Sequence, residues 1–240
     1  MAVNTVGRTH RDHRLYVWFA IAMPLVVLLG FARTYYLKGV FNGPTLPSLL
    51  VHVHGAVMTS WVILFIVQVW LVSTKRTKVH QRLGVIGSVL ALLVITIGTV
   101  TALVATARDS ILAPDALRFL VIPLGDMLTF AVFVGVALYF RRRLEIHKRL
   151  MLLAAVAILP AAIARIPLKF MATGGALAFF GVTDLFLITF VLFDTIKHRK
   201  LHPAFLWGTI VFIALQPLRM MLSGTSTWTH VATWLVGLVK

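Results

Sequence analysis

The chain has 240 residues, of which 60% are hydrophobic and 12% charged, with a formal net charge of +16. A soluble domain is about a quarter charged, so this composition excludes a water-soluble globule and a disordered chain. The absence of cysteine excludes disulfide frameworks, cysteine-ligated zinc, iron–sulfur clusters and thiol nucleophiles.

Residues 1–14 form a polar segment. The apolar run 15–35 is longer than a signal-peptide core, and Gly30-Phe31-Ala32-Arg33 is a poor cleavage site, so it reads as an uncleaved first span. Six further apolar runs follow at 49–72, 83–106, 117–140, 149–167, 176–195 and 204–222. Each approaches the roughly 20 residues that cross a bilayer. The fifth is rich in alanine, which suits a central, closely packed helix. Pro24, Pro123, Pro160, Pro167 and Pro217 are expected to kink or end spans. The tryptophans are expected as interfacial anchors. The run 226–239 is short for a span and reads as an interfacial or re-entrant helix. The expected fold is therefore all-α: a seven-helix transmembrane domain over 15–222 and a short amphipathic segment over 223–240. Short loops, with turn signals such as Asn42-Gly43-Pro44, Pro47 and Thr173-Gly174-Gly175, leave no room for a soluble domain.

The basic residues set the expected orientation. With the N-terminus cytoplasmic, 15 of the 23 lysines and arginines fall on the inner side, and every inner segment is richer than every outer one. This is the positive-inside pattern. It predicts a multi-pass protein of a bacterial inner membrane with its C-terminus outside. Anionic lipid attracts such loops, so the bilayer accounts for the charge and nucleic acid is not a required partner.

Histidines recur at three inner turns: Val79-His80, Ile146-His147 and Leu201-His202 each precede an inward-to-outward span. One reading is a mouth able to hold haem iron or a metal. The other is a recurrent membrane anchor, since His13-Arg14-Leu15 repeats the pattern at span 1.

Ionisable groups at membrane depth are candidate functional residues. The outer half collects Arg33, His52, His54, Asp126, Arg165, Asp184, Gln216 and Arg219. Asp126 and Asp184 are expected to pair with two of Arg33, Arg165 and Arg219, leaving a pocket for an anionic guest such as a haem propionate, a carboxylate or a lipid phosphate. The alternative is a set of interhelical ion pairs with no guest. His52 and His54 point to opposite sides of one helix, so only one could ligate a given metal. A single transition metal held by His54, Asp126 and Asp184 is a further option. Phosphate loops and serine elbows are absent.

His80-Gln81-Arg82-Leu83-Gly84 and His147-Lys148-Arg149-Leu150-Met151 resemble the H-x-R-x-G and H-x-R-x-M helix starts of small bacterial membrane-protein families. Histidines placed in this way are similar to those of membrane b-type cytochromes and cytochrome-oxidase assembly proteins. The resemblance implies haem b or quinone chemistry, with His80 and His147 as ligands. Three functions follow as expectations. The first is an intramembrane haem or metal protein with a redox or quinone-linked role. The others are a non-catalytic subunit or assembly factor of a membrane complex, and a small-anion transporter lined by Arg33, Arg165 and Arg219.

Overall fold

The computed structural model describes residues 6–43, 46, 48–111, 113 and 115–239. Residues 1–5 of the N-terminal segment, the turn prolines Pro44 and Pro47, and Lys240 lie outside the described residues. Helix α1 runs Val6–Phe31 and continues as a π-helical turn, Ala32–Tyr36. Then come α2 (Leu49–Ser73), α3 (Thr77–Asp109), the short α4 (Asp115–Phe119), α5 (Val121–Tyr139) and α6 (Leu144–Ala157). The chain closes with α7 (Pro160–Ile163), α8 (Lys169–His198), α9 (Pro203–Ser223) and α10 (Ser226–Gly237). Among the described residues there is no strand, and seven helices are long and apolar enough to cross a membrane. The protein is a multi-pass helical membrane protein.

Three boundaries differ from the sequence reading, each for a local reason. The expected span 149–167 is two pieces: α6 ends at Ala157 and α7 begins at Pro160, whose ring and missing N–H break the ladder. The sixth helix starts earlier, at Lys169, and is broken at Gly175, where φ is 54° and ψ −137°. Only glycine enters that conformation at low cost. Helix α3 extends to Thr77 and Asp109, because polar residues outside an apolar run still form helix.

The interior is built around α6. Leu152 through Ala157 are all fully buried, as the alanine-rich composition predicts. In lipid no hydrophobic force draws helices together, so close backbone approach and polar contacts must. Gly30 shows the close approach: its Cα lies against the Ala162 carbonyl, and a Cβ there would overlap that oxygen. Phe19, fully buried on α1, meets Phe65, Phe186 and Phe190 at ring-centroid distances of 5.6, 5.6 and 5.0 Å. One buried cluster runs from Leu15 to Val236. Trp61 departs from the anchor expectation, since it is 3% exposed and packs edge-on against Phe130.

Helix α10 docks on the bundle. Thr225 Oγ1 accepts from Trp228 N at 3.1 Å and caps it, and Trp228 Nε1 donates to Leu117 O at 2.9 Å. Its buried stripe is Trp228, Ala232 and Val236.

Gly30→Val is expected to force α1 and α7 apart and to cost about 1–3 kcal/mol. Gly135→Ala, where a Cβ meets nothing within 4 Å, is expected to be neutral or stabilising. Thermal unfolding in one detergent compares the two.

Candidate functional site

Two groups of polar side chains form in the bundle, one at its strongly basic end and one deeper along the spans. The first gathers where α2 meets α3, α5 meets α6 and α8 meets α9, at the strongly basic turns. His80, in the first turn of α3, and His147, in the first turn of α6, have ring centroids 6.4 Å apart and planes 78° apart. Both rings are half-buried. His147 Nδ1 donates to Ala137 O at 2.8 Å. A carbonyl only accepts, so the neutral ring carries its proton on Nδ1 and keeps the lone pair on Nε2. The Gln68 amide faces His80 Nδ1 at 2.7 Å, its nitrogen donating there while its oxygen accepts from Gly84 N at 3.1 Å. With its Nδ1 accepting, the neutral His80 ring carries its proton on Nε2.

Beside this pair lies Arg149, whose side chain is 2% exposed. Its Nε and Nη2 donate to the two oxygens of Asp194 at 2.8 and 3.1 Å. Its Nη1 donates to Glu145 O at 2.9 Å and to Glu145 Oε2 at 2.6 Å. Lys148 Nζ donates to Glu145 Oε1 at 2.8 Å and lies over the Tyr16 ring at 5.4 Å. His198 Nδ1 donates to Asp194 O at 2.8 Å. His202 caps α9, its Nδ1 accepting from Ala204 N at 3.1 Å. Neither Asp194 nor the burial of Arg149 is among the candidates that the sequence alone brings forward. Asp194 sits in the apolar run Phe190-Val191-Leu192-Phe193, so the criterion applied to Asp126 and Asp184 would have found it.

The second group lies deeper along the spans. Arg219 Nη1 donates to Asp126 Oδ1 at 2.6 Å, and Nη2 to Thr129 Oγ1 at 2.6 Å. Both Asp126 and Arg219 are buried. Gly125 supplies the space, because a Cβ there would strike the guanidinium. The second expected aspartate–arginine pair does not form: Asp184 Oδ1 accepts from Gln216 Nε2 at 2.6 Å. Arg165 donates to Ala161 O at 2.6 Å and lies over Phe31 at 5.0 Å, while Arg33 lies over Phe41 at 5.6 Å. The three arginines therefore have separate partners. His52 is exposed and tilted against Tyr35, with ring centroids 6.2 Å apart. His54 is half-buried, and its Nδ1, like Trp61 Nε1, has no hydrogen-bond partner among the described residues. Among the described residues no three histidine, aspartate or glutamate side chains form a metal-binding group, so His54, Asp126 and Asp184 are not brought together as one. Comparison with family models, curated proteins and solved structures finds no match.

Two outcomes test these contacts. Arg149→Met alone leaves the Asp194 charge buried without its partner and is expected to cost about 3–5 kcal/mol. Adding Asp194→Leu should recover most of that loss in a denaturant series. Separately, partial burial, with Arg149 facing it, lowers the His202 pKa from 6.5. The neutral ring is the folded form, so its contribution is complete above pH 6.5 and is lost as pH falls through the lowered value. His202→Asn keeps a capping acceptor without titration and should flatten this acid-side slope in melting temperature.

Proposed function

We propose that this chain is a haem b protein of the bacterial inner membrane, with its N-terminus cytoplasmic, and that His80 and His147 would hold the haem. The observation that carries the reading is their ring separation of 6.4 Å. An imidazole nitrogen bonds a transition metal at about 2.0–2.1 Å and lies about 1.1 Å from its ring centre, so this separation leaves room for both rings to hold one metal ion between them.

The carbonyl beside His147 suits ligation at its Nε2. A carbonyl partner of this kind orients a ligating histidine and raises its basicity. Ala137 O holds the His147 proton on Nδ1, whereas the Gln68 amide donates to His80 Nδ1, so ligation through His80 Nε2 would require that ring to give up its Nε2 proton. The adjoining turns carry Arg76, Lys78 and Arg82, and Arg141, Arg142 and Arg143, which are suited to propionate carboxylates. Haem iron would supply one-electron exchange, and the protein's part is to bind it, set its ligand geometry and limit water. The electron would pass to or from quinone or a larger membrane complex. Anion transport draws less support, because Arg33, Arg165 and Arg219 each have another partner.

The test is a dithionite-reduced minus oxidised visible spectrum of protein purified in mild detergent from haem-replete cells. A sharp α-band with a shifted Soret peak is expected. His80→Ala and His147→Ala should each abolish the low-spin spectrum, whereas Gln68→Leu should keep the haem and shift its potential. A featureless spectrum from folded protein would overturn the reading.

A further inference from the structure

A groove of about 200 Å³ opens between α8 and α9, lined by Leu177, Phe180, Gly181, Pro217 and Met220, with Asp184 and Gln216 as its polar groups. Its surroundings face outward and are apolar: Leu177 is 82% exposed, Met221 74% and Leu218 58%. Asp184 stands near the middle of the span Thr173–His198. The groove therefore opens sideways into hydrocarbon at depth.

Among the described residues, Asp184 has one hydrogen bond, from Gln216 Nε2, and no basic side chain pairs with it. This leaves one carboxyl oxygen and the Gln216 carbonyl oxygen free to engage a guest. A charge at the bilayer centre costs about 2.5–3.5 kcal/mol on insertion scales. A neutral hydroxyl fits both states of the acid, since it accepts from the protonated form and donates to the carboxylate. An ammonium guest would have to bring its own charge to mid-membrane, and an anion would be repelled. An apolar cavity of about 150 Å³ takes a benzene ring, so this groove holds one substituted ring or a short polar head.

We propose that the α8–α9 groove binds a lipid-soluble molecule through a hydroxyl-bearing headgroup held between Asp184 and Gln216. A hydroquinone and a monohydroxy lipid share that chemistry. The site stands apart from the haem reading and fails or survives independently of it.

The experiment uses full-length protein in lipid nanodiscs and a hydrophobic carbodiimide, which adds across its C=N bond to a protonated carboxyl and rearranges to a stable N-acylurea. Mass spectrometry of peptides should find the adduct on Asp184, and a water-soluble carbodiimide should leave Asp184 unlabelled. A short-chain benzohydroquinone should slow labelling. An aliphatic alcohol of equal chain length is the second arm. Protection by the hydroquinone alone assigns a quinol, and equal protection assigns a hydroxylated lipid. In Gln216→Leu, which keeps the carboxyl, the protecting ligand should bind about tenfold more weakly, the loss of about one hydrogen bond. No adduct at Asp184, or labelling that neither compound slows, overturns the proposal. An unchanged melting temperature of Gln216→Leu separates lost binding from lost fold.

Discussion

The fold depends on one ion pair, the fork of Arg149 on Asp194. Both side chains are removed from solvent, and neither can be left alone there. The guanidinium's Nη1 donates to Glu145, so all three nitrogens are engaged. The pair joins α6, the innermost helix, to α8 and fixes the rotation of both. His147 lies two residues before Arg149 on α6, and His198 bonds the backbone of Asp194. The positions of His147 and His198 therefore follow from where that charge pair must sit.

Elsewhere the same demand is met in smaller units. Arg219 with Asp126 and Thr129 ties α9 to α5, and Gln216 with Asp184 ties α9 to α8. These contacts work beside close approaches that only small residues permit. Gly30 against Ala162, Gly125 against Arg219 and Gly208 against Leu153 are examples. Packing without a hydrophobic driving force has to proceed this way, because lipid solvates a leucine as well as another helix does.

Hydropathy made the seven helices legible, since a bilayer asks for length and apolarity and both are written locally. The burial of α6 was legible too, in Ala154, Ala155 and Ala157. Partner choice was not. Asp126 found Arg219, while Asp184 found an amide, because the outcome depends on helix rotation, which no local pattern encodes. The burial of Arg149 was not legible for a related reason: a basic residue one turn inside a helix start looks like a snorkelling anchor until the opposing Asp194 is known. His80 and His147 stood out as repeated letters, but their approach to 6.4 Å comes from the way α2, α3, α5 and α6 assemble.

Helix α9 meets its neighbours along one line: Phe205 and Gly208 near one end, then Phe212, Gln216 and Arg219. Each step along a helix turns the next side chain by about 100°. The helix is thus phased like a gear against three others at once. Lengthening it by one residue between Gly208 and Gln216 would carry Gln216 and Arg219 about 100° out of mesh. Four added residues would nearly restore the angle but lift both groups by about 6 Å, past the aspartates they serve. Substitutions along this stretch change one tooth at a time, whereas insertions and deletions disengage the whole train, so its length is held more tightly than its composition.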